Sequence, residues 1–262
     1  MELNNVLDLI VNFEAIYLAL REEGMKTVSF NVHNILESKI KPVHVKLLGD
    51  SITHGVGGTG FSQNGDPIVD GFARNPDGHC WANLFKEYMQ KHYDCIVTNN
   101  ACTGTTIEFI LEHFDKLVDD QDDLIICMIG TNNRHQFFYD SPKHTPEEHL
   151  EEFYQNILKL HERFISSGKP AIFMTGIPAS SENEKDGEDY WRLFHMDDVC
   201  AAYKKAANEL GFSLISMYDL FLNYCKTNKI TVDSLLCDGL HPNDTGYEVM
   251  FQLMKQALFN DK

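Results

Sequence analysis

Gly49-Asp50-Ser51-Ile52-Thr53-His54-Gly55 is the stretch from which the rest of the chain can be read. It follows Val43-His44-Val45-Lys46-Leu47-Leu48, a short apolar run after Pro42 that reads as a β-strand. Gly49 breaks that strand, so Asp50 and Ser51 fall where a strand gives way to a loop. In open α/β sheets, ligands bind in the loops beyond the carboxyl ends of the strands. A serine held there is a candidate nucleophile, provided the chain supplies a base and oxyanion donors elsewhere.

Further strands and helices alternate downstream. Trp81, Leu84, Phe85, Tyr88 and Met89 mark a helix, and Cys95-Ile96-Val97-Thr98 reads as a second strand closed by Asn99-Asn100. Thr105 with Glu108 has the spacing of a capping box at the start of the next helix. Leu124 to Ile129 (LIICMI) is apolar without alternation, the pattern of a central parallel strand covered on both faces. Thr145-Pro146-Glu147-Glu148 then supplies an N-cap, a first-turn proline and a capping-box glutamate. The helix behind it places Leu150, Phe153, Tyr154, Ile157, Leu158, His161, Phe164 and Ile165 on one face, and Gly168 with Pro170 stops it. Ala171–Thr175 predicts a fourth strand and Phe212–Ile215 a fifth, with a helix from about Trp191 to Leu210 between them. Thr245 and Glu248 cap a last helix that runs to about Phe259. This alternation argues for an α/β fold, a five-stranded, mainly parallel sheet with helices on both faces.

Ahead of the first core strand, Leu3, Val6, Leu7, Ile10, Phe13, Tyr17 and Leu20 have helical spacing, and Val28, Phe30 and Val32 alternate like a short strand. Residues 1–42 are thus expected as a helix–strand extension packed on a core of residues 43–262. A homo-oligomeric contact through this stretch is the alternative. At 262 residues, with 43% hydrophobic and 23% charged residues, the chain suits one large domain. The net charge of −17 repels nucleic-acid backbones and anionic membrane surfaces. Seven scattered cysteines without a CxxC pair fit a reducing compartment. Glu2, Asp8 and Glu14 interrupt the amino terminus, which does not read as a secretory signal, and no apolar run approaches the ~20 residues of a membrane span. These features point to a cytoplasmic protein without membrane insertion.

Three more polar stretches sit beside strand or helix boundaries: Asn100-Ala101-Cys102-Thr103-Gly104-Thr105, Gly130-Thr131-Asn132-Asn133 and Asp238-Gly239-Leu240-His241-Pro242. Carboxyl ends of parallel strands share one edge of a sheet, so these stretches can converge on Ser51. Ester cleavage needs an imidazole to take the serine proton. His241 is three residues after Asp238, so one tight turn can let Asp238 accept from Nδ1 and leave Nε2 facing Ser51. The Ser51 N–H, the Gly104 N–H and the Asn132 side-chain amide are the candidate oxyanion donors. Asp50, His54, Cys102 and Phe137 are candidates for the substrate pocket. Cys102 also fits a small buried thiol, and Phe137, with Phe138 and Tyr139, fits a core patch equally well.

Together, GDSITHG around Ser51, Gly104 after the second strand, Gly130-x-Asn132 and Asp238-x-x-His241-Pro242 resemble the SGNH (GDSL-like) hydrolase superfamily, from about Val43 to the carboxyl end. The resemblance implies a flavodoxin-like three-layer α/β/α sandwich and Ser51 as nucleophile. It also implies Gly104 and Asn132 in the oxyanion hole and an Asp238–His241 pair as base. Neither a metal nor a cofactor is implied. Substrates would be carboxylic esters of small molecules or carbohydrates, cleaved through an acyl-Ser51 intermediate, with transfer to a sugar or alcohol acceptor as the alternative. The third block commonly reads Gly-x-Asn-Asp, and here Asn133 replaces the acid. Gly55-Val56-Gly57-Gly58-Thr59-Gly60 matches GxGxxG, but it neither follows a strand directly nor opens a helix, which favours a structural loop.

Overall fold

A computed structural model describes residues 32–38, 42–69, 71–135, 145–185 and 192–259. Five strands form one sheet: β1 (Val43–Gly49), β2 (Cys95–Asn99), β3 (Leu124–Met128), β4 (Ala171–Met174) and β5 (Ser213–Ile215). Every pairing is parallel and the spatial order is β2-β1-β3-β4-β5. That is the flavodoxin-like doubly wound order, whose topological switch point lies between β1 and β3. Gly49 ends β1 opposite Met128 of β3, so the loops carrying Ser51 and Asn132 both leave the sheet at that point.

The unbroken apolar run of β3 is explained by its two faces. Leu124, Ile126 and Met128 enter one core, while Ile125, Cys127 and Ile129 enter the other. The first core is closed by α1 (Val32–Ser38), α3 (Trp81–His92), α8 (Met217–Asn228) and α9 (Asp244–Phe259). The second is closed by α4 (Ile107–Glu112), α5 (Phe114–Leu117), α6 (Pro146–Ser166) and α7 (Met196–Leu210). A four-residue helix, α2 (Ser51–His54), directly follows β1. The three-layer α/β/α sandwich is therefore present. Among the described residues, no helix is long and apolar enough to cross a membrane.

Local details depart from the sequence pattern where tertiary partners compete. Val32, expected at the end of a strand, opens α1, and Val32 and Leu36 are buried in the first core. Residues 3–30 lie outside the described residues. Thr105 does not cap the next helix. Its hydroxyl donates to the Cys102 carbonyl (2.7 Å), and α4 starts at Ile107, whose N–H donates to Asn133 Oδ1 (3.1 Å). The helix expected from Trp191 begins at Met196, because Arg192 forms a β-bridge with His135 and the Leu193 N–H donates to the Arg134 carbonyl (2.8 Å). Asn243, rather than Thr245, caps α9, accepting from the Gly246 N–H (3.0 Å). Ile165, counted on the buried face of α6, is 66% exposed, whereas Leu160 is fully buried.

Candidate active site

Ser51 is placed by close packing. A Cβ on Gly49 would meet Met128 O at 2.5 Å and collide with the Thr53 side chain, so only glycine lets the chain turn out of β1 against β3. Asp50 caps α2, its Oδ1 accepting from the Ile52 N–H (3.0 Å), and Gly55 ends the helix at φ +105°. Ser51 is thereby the first residue of a turn pinned at both ends. The end of β2 and the loop after it are bonded to it: the Cys102 N–H donates to the Gly49 carbonyl (3.0 Å) and the Asn99 side chain to the Thr53 carbonyl (2.8 Å).

The Asp238–His241 turn arrives from the other end of the chain. Asp238 Oδ1 accepts from the N–H groups of Leu240 (3.0 Å) and His241 (2.7 Å), and Oδ2 lies 2.7 Å from His241 Nδ1. Gly239 takes φ +82°, and a bridge between Leu236 and Pro242 closes the turn. His241 Nε2 lies 2.8 Å from Ser51 Oγ, across 190 residues of sequence. With the Nδ1 proton donated to Asp238, Nε2 is the free acceptor for the serine hydroxyl. Burial pushes the Asp238 carboxyl up, but the His241 and Leu240 donors outweigh it and hold it below its ordinary value.

Gly104 lies on the β2–α4 loop at φ +75°, and Asn132 on the turn after β3. The Asn132 amide donates to the Thr105 carbonyl (2.8 Å), which fixes its plane and leaves a second N–H. Among the described residues, neither the Ser51 nor the Gly104 N–H meets an acceptor. Asn133 is fully buried; it accepts from Ile107 N–H, and its Nδ2 donates to Glu108 (2.8 Å). A neutral amide both donates and accepts at this position, joining the Asn132 turn to the start of α4. Among the described residues, no group of three or more His, Cys, Asp and Glu side chains is placed to hold a metal ion.

The family model described as the GDSL-like Lipase/Acylhydrolase family matches residues 47–249. The chain belongs to that family. It is an enzyme, a carboxylic ester hydrolase of the GDSL/SGNH type. Solved structures share the fold. A protein described as a GDSL-like lipase from Parabacteroides merdae aligns over 83% of this chain and 96% of its own, with 15% identity and a TM-score of 0.63. The acetylxylan esterase of Geobacillus stearothermophilus aligns over 84% and 95%, with 17% identity and a TM-score of 0.60. A lipase/acylhydrolase from Enterococcus faecalis covers 81% and 93%, with 20% identity and a TM-score of 0.57. A search of curated proteins finds no match.

In this GDSL-family chain, three of the expected pocket residues are buried supports. Asp50 is fully enclosed; burial raises its carboxyl, against the opposing hydrogen bond from the Ile52 N–H. His54 is 1% exposed, with Nε2 3.0 Å from the Ala73 carbonyl and Nδ1 2.8 Å from Thr103 Oγ. A carbonyl can only accept, so Nε2 carries the proton and Nδ1 accepts from Thr103, next to Gly104. Burial lowers the His54 pKa. Cys102 is buried at 1% exposure, the small-thiol alternative. Phe137 lies outside the described residues.

Two supports escaped the sequence pattern. Glu184 accepts from the buried Arg134 and lies beside His195 Nδ1 (2.8 Å). Thr59, in the glycine-rich loop after Gly55, donates its N–H and its hydroxyl to the two oxygens of Asp244 (2.7 Å each). The only sequence signals were Arg134 directly after Asn133 and a capping-type Asp244 beside Asn243.

Proposed function

We propose that this chain is a serine esterase that cleaves short acyl esters, including acetylated carbohydrates, through an acyl-Ser51 intermediate. The observation that carries the proposal is the continuous line Ser51 Oγ, His241, Asp238, with bonds of 2.8 and 2.7 Å. The Ser51 hydroxyl proton passes to His241 Nε2 as Oγ bonds to the ester carbonyl carbon. Asp238 holds the tautomer and stabilises the imidazolium. The N–H groups of Ser51 and Gly104, with the Asn132 amide, receive the oxyanion. The intermediate collapses with loss of the alcohol, which takes the proton from His241. Water, deprotonated by the same imidazole, then releases the acid and restores Ser51. An acetylxylan esterase among the fold neighbours supports the carbohydrate side of the proposal. Nothing in the comparisons favours acyl transfer. Seven free thiols, six of them buried, suit a reducing cytoplasm.

The test is hydrolysis of p-nitrophenyl acetate by Ser51→Ala, followed by a panel of acetyl, butyryl and octanoyl esters and acetylated sugars. Ser51→Ala is expected to lose at least ~10⁴-fold in kcat. A variant as fast as wild type would end the proposal, and a preference for octanoyl esters would overturn its short-acyl part.

A further inference from the structure

Arg134 is fully buried two residues after Asn132, and the ester-cleaving arrangement proposed above makes no use of it. Its Nε donates to the Thr131 carbonyl (3.1 Å), inside the turn that carries Asn132. Its Nη1 donates to Glu184 Oε1, and Nη2 lies 3.4 Å from Asn183 Oδ1. Those two residues belong to a short turn that begins at Ser180. The Glu184 N–H donates to the Ser180 carbonyl (3.0 Å), and the Asn183 N–H donates to Ser180 Oγ (3.1 Å). The Ser180 N–H in turn donates to the carbonyl of Gly239 (2.8 Å), the residue after Asp238. The fit there is close: a Cβ on Gly239 would stand 2.7 Å from Ser180 Oγ. One buried cation is thus bonded on one side to the turn of an oxyanion donor and on the other to the Ser180–Glu184 turn, which is itself bonded to the turn of the base.

We propose that Arg134 is a positioning residue that fixes the Asn132 turn and the Asp238–His241 turn relative to each other. The guanidinium suits this task because its rigid fork directs several donors in fixed directions at once. Burial pushes its pKa down to about 10, against the pull of Glu184, so the group stays charged at neutral pH. The proposal rests on the roles given to Asn132, Asp238 and His241 above.

A second buried cation supplies the control. Lys46 on β1, equally enclosed, pairs with Asp119 (2.7 Å) and Asp122 (3.5 Å) and touches neither turn. The experiment compares Arg134→Met, Arg134→Lys and Lys46→Met in the full chain. It measures kcat and KM on p-nitrophenyl acetate, the rate of Ser51 labelling by a fluorophosphonate, and Tm. Arg134→Met is expected to lose about 10²-fold in kcat, the scale of one misplaced oxyanion donor, with KM nearly unchanged. Arg134→Lys regains part of that loss, since a single ammonium can hold one turn but not both. Lys46→Met lowers Tm and leaves kcat and labelling intact. If Arg134→Met does not fold, Glu184→Ala replaces it and is expected to lose about tenfold in kcat at unchanged KM. A folded Arg134→Met or Glu184→Ala with wild-type kcat overturns the proposal. So does a Lys46→Met that loses as much kcat. Wild-type protein left unlabelled at Ser51 would instead sink the nucleophile assignment itself, so the two failures are distinguishable.

Discussion

The two turns that meet across the Ser51–His241 hydrogen bond differ in how far they are buried. The Ser51 turn is interior: Asp50 and Thr53 are 0% exposed, His54 1% and Ser51 4%. The Asp238–His241 turn stands in the open, with the Asp238 side chain 52% exposed and that of His241 16%. Packing reinforces the hydrogen bonds of the first, since close-packed interiors leave side chains little freedom. The second is held by hydrogen bonds, within itself through Asp238 and to its surroundings through Ser180 and the start of α9. An enclosed serine is thereby paired with an imidazole turn that solvent can reach.

The largest break in this comparison falls on the open side. Asp238→Asn keeps the size of the side chain but removes the charge that selects the Nδ1–H tautomer. A loss on the order of 10³–10⁴ in kcat is expected, as for the equivalent change in other triads. Because the side chain is half exposed, Tm should move little. A large fall in Tm with nearly intact kcat would mean that the open turn is a structural element rather than a catalytic one.

A smaller break tests the tie between the two turns. The loop after Gly55 runs from the nucleophile turn to α9, where the buried Tyr247 donates its hydroxyl to the Val56 carbonyl (2.6 Å) and Thr59 holds Asp244. Thr59→Val removes one of the two bonds to Asp244 and keeps the backbone one. A net hydrogen bond of ~0.5–1.5 kcal/mol corresponds to about two- to tenfold in kcat if all of it acts on the His241 side. Steady-state kinetics at constant pH measure this. An unchanged kcat would assign the whole tie to Tyr247.

The contrast also explains what could be read from sequence. The stretches that meet around Ser51 were legible because each block lies beside a strand or helix end, and the order β2-β1-β3 gathers the strand ends among them. The fold was legible in Leu124–Ile129 and in the capping box of Thr145 and Glu148, which the structure shows with both of its hydrogen bonds. Helix α8 was not recognised, although Met217, Leu220, Phe221, Tyr224 and Cys225 have helical spacing and are its buried residues. Two of the expected pocket residues are buried for a geometric reason. Side chains next to a nucleophile point inward or outward according to how the first turn of α2 winds, and Asp50 and His54 point inward. Arg134 and Glu184 are 50 residues apart, and neither has a motif around it.

The smallest expected effect separates the two turns through their aspartates. Asp238 is held below its ordinary 3.8, so it contributes stability that is complete above that value and is lost as pH falls through the folded value. Asp50 is raised above the same 3.8 by burial, so its contribution is complete below that value and is lost as pH rises through the folded value. The neutral variants Asp50→Asn and Asp238→Asn remove one slope each. On acidification from about pH 6 to about pH 3, the Tm advantage of wild type over Asp238→Asn should shrink, while its advantage over Asp50→Asn should grow. Melting curves across that range read both differences, and the many other carboxylates cancel in each. Two differences of the same sign would mean that one of the turns is not electrostatically what its burial implies: either Asp50 finds compensating donors that keep it ionised at no cost, or the Asp238 bonds to His241 and Leu240 do not persist in solution.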